Sequence, residues 1–135
     1  MKKVSFDFDD TLTSPAIENY AKELTDKGIE VYITTSRFDD VSKYPGYNLG
    51  NSITKDIAKK DFDELFLVAK KIGIPKDHIH FTNMVYKWEY LKDKNFLFHL
   101  DDNRDELILC MENNIKAIDS WASDWKEQCE KLLAD

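Results

Sequence analysis

Hydrophobic and polar positions along the chain fall into two alternating rhythms. Val4, Phe6 and Phe8 alternate with Ser5 and Asp7 at period two, which predicts a strand over 3–8. Ser14 and Pro15 then open a helix, Ser as its N-cap and Pro at its first position. Ile17, Tyr20, Ala21 and Leu24 recur at helical spacing as its buried stripe, and Gly28 closes it. Residues 30–34 predict a second strand. Asp61 and Glu64 form a capping-box pattern around the start of an apolar stripe of Phe62, Leu65, Phe66, Ala69 and Ile72. A helix is therefore predicted over 61–72, stopped by Gly73 and Pro75. Strands follow at 78–82, 95–100 and 115–118, with helices at 87–92 and 106–112. The last helix carries Trp121, Trp125, Cys129 and Leu132 on one side. This alternation predicts an α/β fold: a three-layer, Rossmann-like doubly wound sheet of about five parallel strands.

The length of 135 residues fits one domain, 1–135, and no internal repeat is visible. One stretch breaks the rhythm. Residues 38–60 hold Pro45, Gly46 and Gly50 and read as a long loop, or as a loop with a short helix around 53–59. No apolar run approaches the ~20 residues of a membrane-spanning helix. Acidic residues outnumber basic ones 26 to 19, for a net charge of −7. That balance disfavours stable nucleic-acid coating and anionic membrane surfaces as partners. Carboxylates arrive at Asp7, before an apolar signal core can form, and Cys110 and Cys129 make no CxxC pair. A cytoplasmic protein with ordinary thiols is expected.

In an open parallel sheet, ligands bind beyond the carboxyl ends of the strands. There the chain places Asp7, Asp9, Asp10 and Thr11 after the first strand and Thr34, Thr35, Ser36 and Arg37 after the second. Asp101, Asp102, Asn103 and Asp105 follow the fourth, and the third leads through Asn83 to Lys87. Two carboxylates at i and i+2 near a strand end can face one cavity. Like charges ~4 Å apart repel by about 4 kcal/mol at an effective dielectric near 20. A hard cation such as Mg²⁺ relieves that repulsion. Simpler uses compete for the same residues. Asp9 and Asp10 suit a turn, Thr35 and Ser36 suit another, and Asp102 or Asn103 suits an N-cap with Asp105 or Glu106 completing a capping box. Lys87 at a helix N-terminus opposes the helix dipole by roughly a few tenths of a kcal/mol, which suggests another use for its charge. His78 and His80 fall on an exposed strand face and His99 lies inside the fourth strand. With no zinc-ligand spacing, all three read as structural.

The run Asp7-Phe8-Asp9-Asp10-Thr11 resembles the first motif, DxDxT, of the haloacid dehalogenase superfamily. Thr35 is similar to that family's second-motif hydroxyl, Lys87 to its third-motif lysine, and Asp101-Asp102 with Asp105 to its acidic fourth motif. The four occur in the family's order and span nearly the whole chain. The resemblance implies a Mg²⁺-dependent phosphomonoester hydrolase in which Asp7 is the nucleophile. It implies that Asp9 is the acid and base, an Asp there being similar to the phosphatase members rather than the dehalogenases. It further implies Mg²⁺ held by Asp7, Asp9, through its backbone carbonyl, Asp101 and a second acid, and phosphate held by Thr35, Ser36, Arg37 and Lys87.

The match departs from the family pattern in two places. Leu100 stands where the GDxxxD form of the fourth motif has Gly, which leaves Asp102 and Asp105 in competition behind Asp101. Thr34 competes with Thr35 in the second motif. The intervals after the first and third strands are too short for an inserted cap, so no separate cap domain is expected. Cover for the site would come from 38–60, where Tyr44, Tyr47 and Asn48 lie, from a second copy in a homo-oligomer, or from a large substrate. Expected substrates are small-molecule, nucleotide or macromolecular phosphate ends, with a lean to nucleotide or polynucleotide phosphates because Arg37, Tyr44 and Tyr47 can pair or stack. Two rivals share the architecture: a phospho-receiver signalling domain, whose expected acid after the third strand is absent here, and a non-catalytic binding protein.

Overall fold

Five short strands carry the fold: β1 (Lys3–Phe6), β2 (Glu30–Thr35), β3 (Ile79–Phe81), β4 (His99–Asp101) and β5 (Ala117–Asp119). In this computed structural model, which describes residues 1–44, 47–48 and 51–134, they form one sheet in the order β3-β2-β1-β4-β5. Every strand pairing is parallel. The helices are α1 (Pro15–Asp26), α2 (Ser52–Ile72), α3 (Trp88–Leu91), α4 (Arg104–Glu112) and α5 (Trp125–Ala134). α1 packs on α2, and the Tyr20 ring meets Trp125 of α5 at 5.4 Å. α3 packs on α4. The chain is a Rossmann-like, doubly wound α/β fold with no second domain among the described residues.

Apolar side chains fill the space between the layers as the period-two and helical patterns require. Val4 and Phe6 of β1, Val31 and Ile33 of β2, and Ile17, Tyr20, Ala21 and Leu24 of α1 are all buried. Phe6 packs edge-on against Phe98 at 5.8 Å. Ser14 holds the N-cap position of α1 with Pro15 behind it, and Gly28 takes a φ of 83° just past the helix end. Gly73 closes α2 in the left-handed region at φ 98°, its N–H donating to Ala69 O. A side chain there would pay for that φ, so glycine fits the stop.

The second helix differs from expectation. It starts at Ser52 rather than Asp61, capped by Asn51, whose Oδ1 accepts the Ile53 N–H at 2.8 Å. Residues 52–60 contain lysines and Ala58 with no Gly or Pro, so nothing halts the helix behind Asp61. The Asp61/Glu64 pair lies in the helix interior. Pro45, Gly46 and Gly50 lie outside the described residues. Both cysteines are buried and free. Among the described residues no helix is long and apolar enough to cross a membrane.

Topology fixes where a ligand can sit. The chain lays β2 and β3 outward on one side of β1, then crosses back to put β4 on the other side. The order reverses between β1 and β4, so the crevice at the C-terminal ends of those two strands is the switch point. A receiver-type sheet runs 2-1-3-4-5 and places β1 beside β3. Here β1 lies between β2 and β4, so the receiver alternative does not fit.

Candidate active site

At that switch point the chain leaves β1 through Asp7, which is still extended, into a wide turn over Phe8–Leu12. Asp10 takes a left-handed φ of 57° in this turn, an unusual conformation for a residue with a side chain. The turn brings the Thr11 hydroxyl back to donate to Asp7 Oδ2 at 3.2 Å. Phe8 is wholly buried beneath it. On the other side of the crevice β4 ends in Asp101, and Asn103 N-caps α4 by accepting the Glu106 N–H at 3.0 Å.

Lys87 reaches this crevice from the far side of the sheet. The segment after β3 carries two consecutive left-handed residues, Asn83 and Met84, pinned by backbone N–H donation to Arg37 O and Ser36 O. Glu106 then accepts the Lys87 backbone N–H at 3.0 Å. With its backbone held, Lys87 donates from Nζ to Asp7 Oδ1 and to Asp101 Oδ2, both at 2.7 Å. Lys87 is 2% exposed, Asp7 4% and Asp101 0%, so this ion triad is almost wholly removed from water. Asp7, Asp101 and Asp102 each offer a carboxylate oxygen within 4.8 Å of the others. Of the two acids that compete behind Asp101, Asp102 joins this cluster, and Asp105 lines a different hollow beside Tyr86 and Ile108.

The charges do not balance. Burial drives the Asp7 carboxyl well above its ordinary range; Lys87 opposes this, and Asp101 adds to it. Asp101 is held well below its usual value despite burial, by donation from His99 and Lys87. Burial works to lower the Lys87 pKa, but the two carboxylates raise it overall. One ammonium among three carboxylates leaves a site short of positive charge, and its hard oxygen donors can hold a metal ion.

Asp9 points elsewhere. Its carboxylate is half-exposed and takes a two-pronged bond from Arg37, Nε to Oδ2 at 2.9 Å and Nη2 to Oδ1 at 2.7 Å. Arg37 also lies over the Phe8 ring at 4.9 Å and donates to Asp61 O at 2.6 Å. Its guanidinium, expected to face a phosphate, is thus engaged with Asp9. The Asp9 carboxylate stands outside the three-acid cluster. Thr35 is buried and its Oγ1 accepts the Arg37 N–H at 3.2 Å, while the Thr34 hydroxyl meets Ser5 Oγ at 2.8 Å inside the sheet. Of that strand end, Ser36 lines the cleft.

The cleft encloses about 180 Å³ among Asp7, Asp9, Asp10, Ser36, Lys87, Asp101, Asp102, Asn103 and Glu106. Among the described residues nothing from 38–60 lines it. Tyr44 packs edge-on against Phe62 at 5.7 Å with its phenol beside Arg37, and Tyr47 lies under Lys55 Nζ at 5.5 Å; neither ring lines the cleft. A larger groove of about 390 Å³ beside the start of β3 is lined by Phe66, Leu67, Ile74 and Ile79 and carries no carboxylate.

Two groups of the site escaped the sequence reading. Glu106 fits the capping-box position, but its side chain serves Lys87 instead of the helix end. His99 is wholly buried, with Nε2 2.8 Å from Asp101 Oδ2. Burial lowers its pKa, against the pull of Asp101. The signal was present: His99 and Asp101 are i and i+2 on one strand and share a face. His78 and His80 are half-buried rather than exposed, stacked on Tyr32 at 3.9 Å and Tyr90 at 3.6 Å. Fold and site together define a parallel α/β domain with a buried acidic cluster at its switch point. No protein-family model matches the chain, and no curated protein matches it.

Proposed function

We propose that this chain is a Mg²⁺-dependent phosphatase that hydrolyses a phosphomonoester through a phosphoryl-Asp7 intermediate. The observation that carries the reading is Lys87 Nζ bridging Asp7 and Asp101 at 2.7 Å each, in a cluster completed by Asp102. The resemblance of these positions to the haloacid dehalogenase motifs supports it, because residues from distant segments meet at one crevice. Asp7, Asp101 and Asp102 would hold the ion, with the Asp9 carbonyl as the family pattern implies. Bound Mg²⁺ supplies charge neutralisation and orientation for a phosphoryl group beside an anionic nucleophile.

The chain's own groups account for the two half-reactions. Asp7 is fixed by Thr11 on one oxygen and Lys87 on the other. Its carboxylate attacks phosphorus, the ester P–O bond breaks, and the leaving oxygen takes a proton from Asp9. Water then attacks phosphorus, Asp9 takes its proton, and phosphate leaves Asp7 as a free carboxylate. Asp9 accepts or delivers a proton once the Arg37 fork releases one of its oxygens, which frees Arg37 N–H groups toward the substrate phosphate. Lys87 balances charge on the transferring group. A cleft of about 180 Å³ suits a phosphoryl group and leaves the rest of the substrate outside. With neither Tyr44 nor Tyr47 lining the cleft, the proposal stays at the phosphomonoester rather than a nucleotide.

The test is hydrolysis of an aryl phosphate. Turnover is expected with Mg²⁺ and lost with EDTA or in Asp7→Asn. Undiminished turnover in Asp7→Asn overturns the mechanism.

A further inference from the structure

A central strand of a parallel sheet is covered on both faces and is ordinarily apolar. One rung below the cleft, three adjacent strands instead bury a line of polar side chains. Thr34 Oγ1 of β2 lies 2.8 Å from Ser5 Oγ of β1, and Ser5 Oγ lies 2.8 Å from His99 Nδ1 of β4. His99 Nε2 reaches Asp101 Oδ2 at 2.8 Å. All four residues are 0% exposed, and Ser5 and His99 stand opposite each other in the β1–β4 register. An aliphatic residue would fill the His99 position without the cost of burying two ring nitrogens. The line ends on a carboxylate of the cluster.

Donor and acceptor rules give it a direction. An ionised carboxylate only accepts, so Nε2 must carry a proton. Lys87 already brings positive charge to the same Oδ2, so a neutral ring completes the line. Nδ1 then accepts from the Ser5 hydroxyl, which in turn accepts from Thr34. With Lys87 and His99 both on Oδ2 and the Asn103 N–H on Oδ1 at 3.1 Å, one acceptor position of Asp101 stays open, on Oδ1.

We propose that His99 is a positioning residue: the Thr34–Ser5–His99 line locks the Asp101 carboxylate with Oδ1 presented to the crevice, and so sets the affinity for the divalent cation. This rests on the reading of Asp7, Asp101 and Asp102 as the cation site. Partners behind metal-ligating carboxylates typically change metal affinity 10- to 100-fold when removed.

The experiment uses the full chain and Mn²⁺ alone, with bound metal read by electron paramagnetic resonance. His99→Leu is expected to weaken binding by about 10-fold or more. His99→Gln keeps an N–H near the Nε2 position and is expected to recover most of that loss. Ser5→Ala leaves Asp101 untouched but unpins the ring, and is expected to fall between the native chain and His99→Leu. In the native chain, ¹⁵N NMR should show Nε2 protonated and Nδ1 as the acceptor, a reading that needs no variant to fold. Mn²⁺ affinity unchanged in folded Ser5→Ala and His99→Leu, or a proton on Nδ1 alone, overturns the role of His99. Failure of the native chain to bind Mn²⁺ overturns the cation site, and this proposal with it.

Discussion

Asp7→Asn separates what the site contributes to stability from what it contributes to chemistry. At an effective dielectric near 20, the Lys87–Asp7 contact of 2.7 Å corresponds to about 6 kcal/mol of attraction. The repulsion of Asp7 by Asp101 and by Asp102, with oxygens within 4.8 Å, comes to about 3.5 kcal/mol for each pair. Attraction and repulsion nearly cancel, which leaves the desolvation of a buried carboxylate uncompensated. Asparagine keeps an oxygen for Lys87, and Lys87 keeps Asp101. In EDTA at pH 8 the variant is therefore expected to be more stable than the native chain by about 1–3 kcal/mol, measured by urea unfolding. The sign with pH follows from the raised Asp7 pKa. Between the ordinary value of 3.8 and the raised one, the folded native chain binds the extra proton and the unfolded chain does not. Native stability therefore gains relative to the variant as pH falls through that window, and the gap closes. A variant less stable than native by more than about 2 kcal/mol in EDTA at pH 8 would mean that the ion pair, not the desolvation of Asp7, dominates.

The remaining predictions concern the partners of Asp7. Lys87→Met leaves the carboxylates facing one another and is expected to cost about 3–5 kcal/mol in EDTA, with part of the loss recovered on adding Mg²⁺, read as a shift in Tm. Asp102→Asn should weaken Mn²⁺ binding by about 10-fold while Asp105→Asn leaves it unchanged, a comparison made by titration calorimetry. Arg37→Gln removes the fork on Asp9 and the tie to Asp61, and because Asp9 is half-exposed the loss should be about 1 kcal/mol by urea unfolding.

The strand–helix alternation was legible because it follows from local periodicity. The position of Asp7, Lys87 and Asp101 was legible because a parallel sheet delivers strand ends to one edge. What local pattern does not carry is partner choice. Arg37 reads as a cation near the site, yet only the fold shows Asp9 lying 2.7 Å from it. Asp61 and Glu64 satisfy a capping rule that also tolerates a helix interior, so the true start at Asn51 was masked by a better-looking one. Glu106 replaced Asp105 in the acidic rim because a helix turn, not spacing to Asp101, decides which side chain faces Lys87. His99 reads from the pattern as an interior residue, but its contact with Ser5 spans 94 positions of sequence.

The central claim is that phosphorus passes through Asp7. The most direct measurement is an acid quench during Mg²⁺-dependent turnover of an aryl phosphate, followed by peptide mapping with mass spectrometry. A hydroxylamine-labile phosphoryl group on Asp7, absent in Asp7→Asn, is the predicted result. Turnover by the native chain that leaves Asp7 unmodified throughout, and persists in Asp7→Asn, would contradict it.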